Sequence, residues 1–319
     1  MGMVHAANAR AVPGARLVAV AAAREGHAEE AGGELRVEAC SYEELVGRDD
    51  VDAVVVAARS VDHAEVAAAV LEAGKHLFLE KPGATTLAGH ERLRAAAARP
   101  GVVVQLGYQR RFDAGYAGAR RLVDEGAIGD PLVVLATSRD MDWPEGELPA
   151  DTGGFLLDMA VHDYDVACWF LGSEPVEVSA VRQARVYPEL EALGDLDNAV
   201  VTIRFANGGL GVTHASRTCA YGHDVRSEIV GSEGSLFVGE VGAGLVTAAD
   251  RGRYPQDFRQ RFADAYREEL AAFVSACRGE PARGATVEDD RRAVEIGVAA
   301  RASAVAGEPR AVGRDWPWP

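Results

Sequence analysis

Four short apolar runs mark the first third of the chain: "RLVAV" (16–20), "DAVVVAA" (52–58), "HLFLE" (76–80) and "VVVQLGY" (102–108). Each has the length of a strand and is bounded by turn-forming or charged residues. Between them the apolar positions recur at helical spacing, as in "VDHAEVAAAVLEAG" (61–74) and "TLAGHERLRAAAA" (86–98). Gly74 stands where a helix C-cap glycine belongs, and "SYEE" (41–44) has the spacing of a capping box. Strands that alternate with helices predict a doubly wound parallel sheet.

From about residue 131 the pattern changes. "PLVVLATSR" (131–139), "PVEVSAVRQARVY" (175–187), "NAVVTIRF" (198–205) and "LGVTHASRT" (210–218) alternate as longer strands, with "NGG" (207–209) as a hairpin turn. Helices over about 258–278 and 287–305 close the chain. The expected architecture is therefore α/β followed by α+β. A Rossmann-like parallel sheet occupies residues 1–110, and a domain with a large, mostly antiparallel open sheet occupies 111–319.

One segment departs from simple amphipathicity. In "GGFLLDMAVHDYD" (153–165), Asp158 and His162 are four apart and Asp165 is three further on, so a continuous helix places all three on one face. Their neighbours are apolar, and a buried carboxylate is costly unless it is paired or used. Three readings are open: a mixed N/O metal site, a structural stripe, or an acid–base centre. No H-x-H, H-E-x-x-H or cysteine cluster supports a metal, and none is expected.

Composition narrows the function classes. A net charge of -16 argues against nucleic acid or an anionic membrane as partner. No apolar run approaches the about 18 residues of a membrane span. The opening "MGMVHAANARAVPG" lacks a signal-peptide layout, and Cys40, Cys168, Cys219 and Cys277 form no CxxC pair. A cytoplasmic protein with reduced thiols is expected.

Five motifs stand in an order that resembles the Gfo/Idh/MocA oxidoreductases, most of all their inositol-oxidising members. They are "EKP" (80–82), "GYQRRFD" (107–113), "LVDEGAIGDP" (122–131), the 153–165 segment and "YGHDVRSEIVGSEG" (221–234). The resemblance spans nearly the whole chain. It implies hydride transfer between NAD or NADP and a secondary hydroxyl of a cyclitol, sugar or similar polyol, in a homodimer or homotetramer joined through the C-terminal sheet. It carries the catalytic roles onto Lys81, Asp158 and His162. Histidine suits removal of a hydroxyl proton near neutral pH, with Asp158 orienting it and Lys81 stabilising charge on the reacting oxygen. Substrate contacts fall on Gln109, Arg110, Asp165, Tyr221 and His223. His223 stands where the inositol-oxidising members carry a tyrosine, which widens the choice of polyol. For Arg110 an interdomain salt bridge is the alternative. The acidic loop 139–151 is expected over the pocket mouth.

Cofactor contacts are expected from Met1, Gly2, Arg24, Arg59, Ser60, His63, Glu80 and Lys81. Gly2 matches the last glycine of the family's G-x-G-x-x-G loop, whose preceding strand is absent from this sequence; a start assigned late and a real loss are both open. Ala22 replaces the acid that usually holds the ribose 2′-hydroxyl, and Arg24 follows it, which favours a 2′-phosphate. Arg59 replaces a family proline ahead of His63. Two other function classes remain: a sugar-responsive binding or regulatory protein, and a lyase or hydrolase that uses bound NAD transiently.

Overall fold

The alternation of apolar runs and helices in the first half yields parallel strands, as the pattern requires. The computed structural model describes residues 1–24, 26–143, 149–239 and 254–316. Strands β1 (Ala19–Ala21) and β2 (Glu38–Cys40) pair in parallel, and β3 (Ala53–Val56), β4 (His76–Glu80) and β5 (Val104–Gly107) form a second parallel sheet. Among the described residues no strand joins β1 to β3, so the Rossmann-type sheet is in two parts. The interval lies where a doubly wound order places its first strand.

Helices α1 (Gly2–Ala11), α2 (His27–Leu35), α3 (Tyr42–Gly47), α4 (His63–Glu72) and α5 (Leu87–Ala97) accompany these strands. Their ends are set locally. Ser41 and Glu44 close the expected capping box before α3, and Thr86 accepts from the Gly89 amide to cap α5.

The second half opens with a 3₁₀ turn (Gln109–Phe112) and α6 (Ala114–Asp124), then β6 (Pro131–Arg139) and the short helices α7 (Pro149–Thr152) and α8 (Phe155–Asp158). There follow α9 (Val161–Leu171), β7 (Pro175–Gln183), α10 (Glu189–Ala192), β8 (Asn198–Phe205), β9 (Leu210–Ser216), β10 (Asp224–Gly231) and β11 (Ser235–Val238). Helices α11 (Phe258–Arg261), α12 (Ala263–Cys277) and α13 (Val287–Ala306) and strand β12 (Arg310–Ala311) complete the described chain. The large sheet has the order β11–β10–β6–β9–β8–β7–β12, and only β6–β9 pairs in parallel. Along β8 the burial alternates residue by residue, so one face meets α9 and α13 while the other carries exposed Val200, Leu135, Leu210 and Phe237.

Two expectations change. The helix expected over 258–278 breaks at Phe262 into α11 and α12. Moreover, α12 packs back on the first half: Phe273 meets Phe78 of β4 edge-on at 5.7 Å, in a cluster with Val12 and Leu270. Helix α12 thus packs on α1 and β4 of the first half and on the 3₁₀ turn that opens the second.

Candidate active site

Lys81 follows directly on β4, at the carboxyl ends of the parallel strands, where ligands bind in open α/β sheets. Its turn is held from three sides. The Lys81–Pro82 peptide is cis, the two ring nitrogens of His63 lie 2.8 and 3.1 Å from the Pro82 and Ala58 carbonyl oxygens, and the Gly83 amide donates to both oxygens of Asp290 (3.1 Å each). A Cβ at Gly83 would lie 2.4 Å from Asp290 Oδ2, so only glycine fits there. Behind Lys81, buried Glu80 sits 2.6 Å from His5 Nε2 of α1.

Lys81 reaches across to the second half. Its Nζ donates to the backbone carbonyl of Asp158 at 2.6 Å and to Oδ1 at 3.2 Å. The other carboxylate oxygen accepts from Arg217 at 3.0 Å. Burial alone would raise the Asp158 carboxyl, but the two cations outweigh it and hold it below its ordinary range. Phe155, whose ring underlies the Arg217 guanidinium, opens α8 by donating its amide to Asp195.

The continuous stripe of the sequence reading is not formed. Helix α8 ends at Asp158 and α9 begins at Val161, so Asp158 and His162 stand on different helices. Among the described residues Asp158 makes no hydrogen bond to His162; its oxygens belong to Lys81 and Arg217. The carboxylate thus positions the ammonium rather than the imidazole.

His162, in the first turn of α9, meets the Tyr108 ring edge-on at 6.0 Å. Its Nδ1 is buried with no partner among the described residues. Burial first, then the charges of Lys81, Arg110 and His223, push its pKa well below the ordinary histidine value. A neutral imidazole beside an ammonium is a proton acceptor next to an anion stabiliser, the pairing that alcohol oxidation requires. His223 also faces this region; its Nδ1 lies 2.5 Å from Asp140 and its Nε2 is buried and unpartnered. Gln109, 3% exposed, likewise leaves its Oε1 without a partner.

Other expected contacts are committed elsewhere. Both Asp165 oxygens accept from Arg111 (3.0 and 2.5 Å) in a buried pair, so this acid ties the 3₁₀ turn to α9. Buried Arg110 donates to Asp163 at 2.5 Å and to Ser138 at 2.7 Å. Tyr221 sits between Arg139 and Asp224 (2.8 and 2.9 Å). Of the expected cofactor contacts, His63 and Glu80 are engaged as described. Exposed Arg59 pairs with Asp62 and Asp151. Ser60 opens a 3₁₀ turn, Met1 caps α1 and Gly2 begins it, and Arg24 is exposed after β1. The central part of the acidic 139–151 loop (144–148) lies outside the described residues. Among those residues no three His, Cys, Asp or Glu side chains form a metal-binding group, and no helix is long and apolar enough to cross a membrane.

Sequence reasoning missed Arg217, Asp290 and Asp195. Each acts on a motif from 40 or more positions away, as the Phe155–Asp195, Arg217–Asp158 and Gly83–Asp290 bonds show, and no local signal marks such a pairing.

Known proteins are similar to this chain in sequence and fold. Residues 1–108 match the family described as "Oxidoreductase family, NAD-binding Rossmann fold" (GFO_IDH_MocA), and residues 116–237 match the "GFO/IDH/MocA C-terminal domain". The chain is 36% identical over 316 residues to the scyllo-inositol 2-dehydrogenase (NAD(+)) of Bacillus subtilis, covering 97% of this chain and 92% of that one. It is 36% identical over 310 residues to the myo-inositol 2-dehydrogenase of Thermotoga maritima, covering 95% and 93%. A solved scyllo-inositol dehydrogenase from Lactobacillus casei with bound NAD(H) and scyllo-inositol superposes with TM-score 0.89 at 31% identity, covering 98% and 96%.

Proposed function

The chain belongs to the GFO/IDH/MocA oxidoreductase family, and on that premise we propose that it oxidises a secondary hydroxyl of a cyclitol or related polyol with a nicotinamide cofactor. The observation that carries this reading is Lys81, doubly bonded to Asp158 four positions ahead of His162, whose ring Nδ1 is buried with no partner among the described residues. The hydroxyl proton moves to the His162 imidazole. The Lys81 ammonium donates to the reacting oxygen and stabilises the charge that develops on it. Asp158 holds that ammonium in place, and Arg217 holds Asp158. NAD supplies the hydride acceptor. The residues fit such a partner, because Gln109 Oε1, His162 Nδ1 and His223 Nε2 are buried polar atoms that the protein itself leaves unpaired.

Hydroxyl-rich substrates suit this set, since each buried hydroxyl needs a donor or acceptor. The named relatives favour an inositol and NAD. The site favours the catalytic reading over a binding protein or a transient NAD user, because a sensor has no need of an ammonium aligned with an unprotonated imidazole. Ala22 and exposed Arg24 support use of NADP as well; initial rates with both cofactors decide, and a strong NAD preference unchanged in Arg24→Ala removes that role.

The domain division near residue 110, the cytoplasmic location and the assembly belong to the same proposal. The four cysteines are free thiols, as in a reducing compartment. The open sheet face, with Phe237 60% and Val181 66% exposed, suits a second copy of this chain. The test of function is reduction of NAD+ by purified protein with myo-inositol, scyllo-inositol and a panel of other polyols. Reduction with a cyclitol supports the reading, and no reduction with any of them defeats it.

A further inference from the structure

We propose that Asp290 is a positioning residue that sets Lys81 and His162 relative to each other, through one buried carboxylate shared by the Lys81 turn and Tyr108. The inference rests on the dehydrogenase reading above. Asp290 lies in the first turn of α13, fully buried. Its Oδ1 accepts from the Tyr108 hydroxyl at 2.7 Å and from the Gly83 amide at 3.1 Å. Its Oδ2 accepts from the same amide at 3.1 Å and lies 3.0 Å from His90 Nε2.

Two of these contacts, to Gly83 and to Tyr108, lead to the site. Gly83 is two residues beyond Lys81, so its bond to Asp290 fixes the turn from which the ammonium projects. Tyr108 is the residue whose ring edge meets His162. A shift of this carboxylate therefore moves both groups, although Asp290 touches neither of them. Its own position is over-determined. Thr286 and Asp289 form a capping box at the start of α13, and the Ala285 carbonyl accepts from the Leu106 amide at 3.0 Å, bridging this segment to β5. A buried carboxylate is costly unless satisfied, and here it is met by three donor groups at a helix N-terminus, whose dipole favours negative charge. Such a network has one arrangement in which every member is satisfied, which makes it a rigid reference for the two catalytic groups.

The test compares Asp290→Asn, Tyr108→Phe and the double variant in the full chain. The readouts are kcat per folded site with NAD+ and scyllo-inositol, KM for NAD+, and the titration midpoint of His162 followed by NMR in the cofactor-free protein. Tyr108, Lys81, Arg110 and His223 are the titratable or charged groups acting on that imidazole. Each single variant is expected to lower kcat about 10–100-fold, as misplacement of reacting groups does, with KM for NAD+ nearly unchanged. The double variant is expected to lose no more than the worse single one, because both cut the same link. The His162 midpoint is expected to rise towards the ordinary histidine value as the tyrosine loosens. An unchanged kcat and midpoint in folded variants, or independent multiplicative losses, overturns the proposal. If Asp290→Asn fails to fold, Tyr108→Phe carries the test through the same readouts. If the wild type reduces no NAD+ with any cyclitol, the dehydrogenase reading falls, and the His162 titration alone still decides whether the link exists.

Discussion

Lys81 and Asp158 are joined twice, through the backbone carbonyl at 2.6 Å and the carboxylate at 3.2 Å. The pair bridges the parallel-sheet half and the α+β half at the reacting centre. Only one of the two bonds depends on the carboxylate's charge.

Asp158→Asn should therefore weaken catalysis without releasing Lys81. Loss of a hydrogen bond between charged groups is worth about 1.5–3 kcal/mol, or roughly 10–100-fold in kcat. Arg217→Met should act in the same direction and less strongly, since Arg217 bonds Asp158 and not Lys81. Because Asp158 makes no bond to His162, the acid limb of the pH–kcat profile should stay in place in both variants. A displaced limb in Asp158→Asn would show that the carboxylate acts on the imidazole after all.

Asp165→Asn should cost stability rather than substrate binding. Its oxygens are both on Arg111 in a buried pair, and Arg111 keeps Asp289 as its second partner. Removing one member of a buried ion pair typically costs about 3–5 kcal/mol, and Asp289 should keep the loss at or below the lower end. Thermal unfolding measures this. A large rise in polyol KM at full stability would return Asp165 to the substrate pocket.

Glu269 of α12 is fully buried, and neither carboxylate oxygen has a partner among the described residues. Burial, then the charges of Glu80 and Asp165, hold its pKa well above the ordinary glutamate value. The folded state then binds a proton that the unfolded chain releases, so the stability linked to this group is full below about pH 4.3 and is lost as pH rises through the folded pKa. Glu269→Gln should raise the unfolding temperature relative to wild type, by more at pH 8 than at pH 5. An equal change at both pH values would show that the group does not titrate on folding.

Much of this architecture was legible along the chain, for identifiable reasons. The runs at 76–80, 131–139 and 198–205 coincide with β4, β6 and β8, because a strand buried on both faces reads as a short apolar run, as in β4, and a half-buried one as an alternation, as in β8. The Ser41 box and the NGG hairpin depend on neighbours two or three positions apart, and they too were readable. The break between Asp158 and His162 was not. The spacing of 153–165 is helical throughout, and the break falls at Met159–Ala160, where no residue forbids a helix. What fixes the start of α8 is Asp195, which takes the Phe155 amide. Similarly, a buried acid three residues from a candidate catalytic histidine reads as functional until Arg111 is seen holding both oxygens of Asp165. Partners brought together by tertiary packing leave no periodic trace.

If His162 is the base, the most direct test is kcat per folded site for His162→Ala against wild type, across pH, with NAD+ and scyllo-inositol. A base must be unprotonated, so wild-type activity falls as pH drops through the pKa of His162. Burial and the nearby cations Lys81 and Arg110 place that fall well below pH 6.5. The account predicts a loss of about 10²–10⁴ in kcat for the variant, disappearance of the acid limb, and nearly unchanged affinity for NAD+. Normal turnover by folded His162→Ala, with the wild-type acid limb intact, would contradict it.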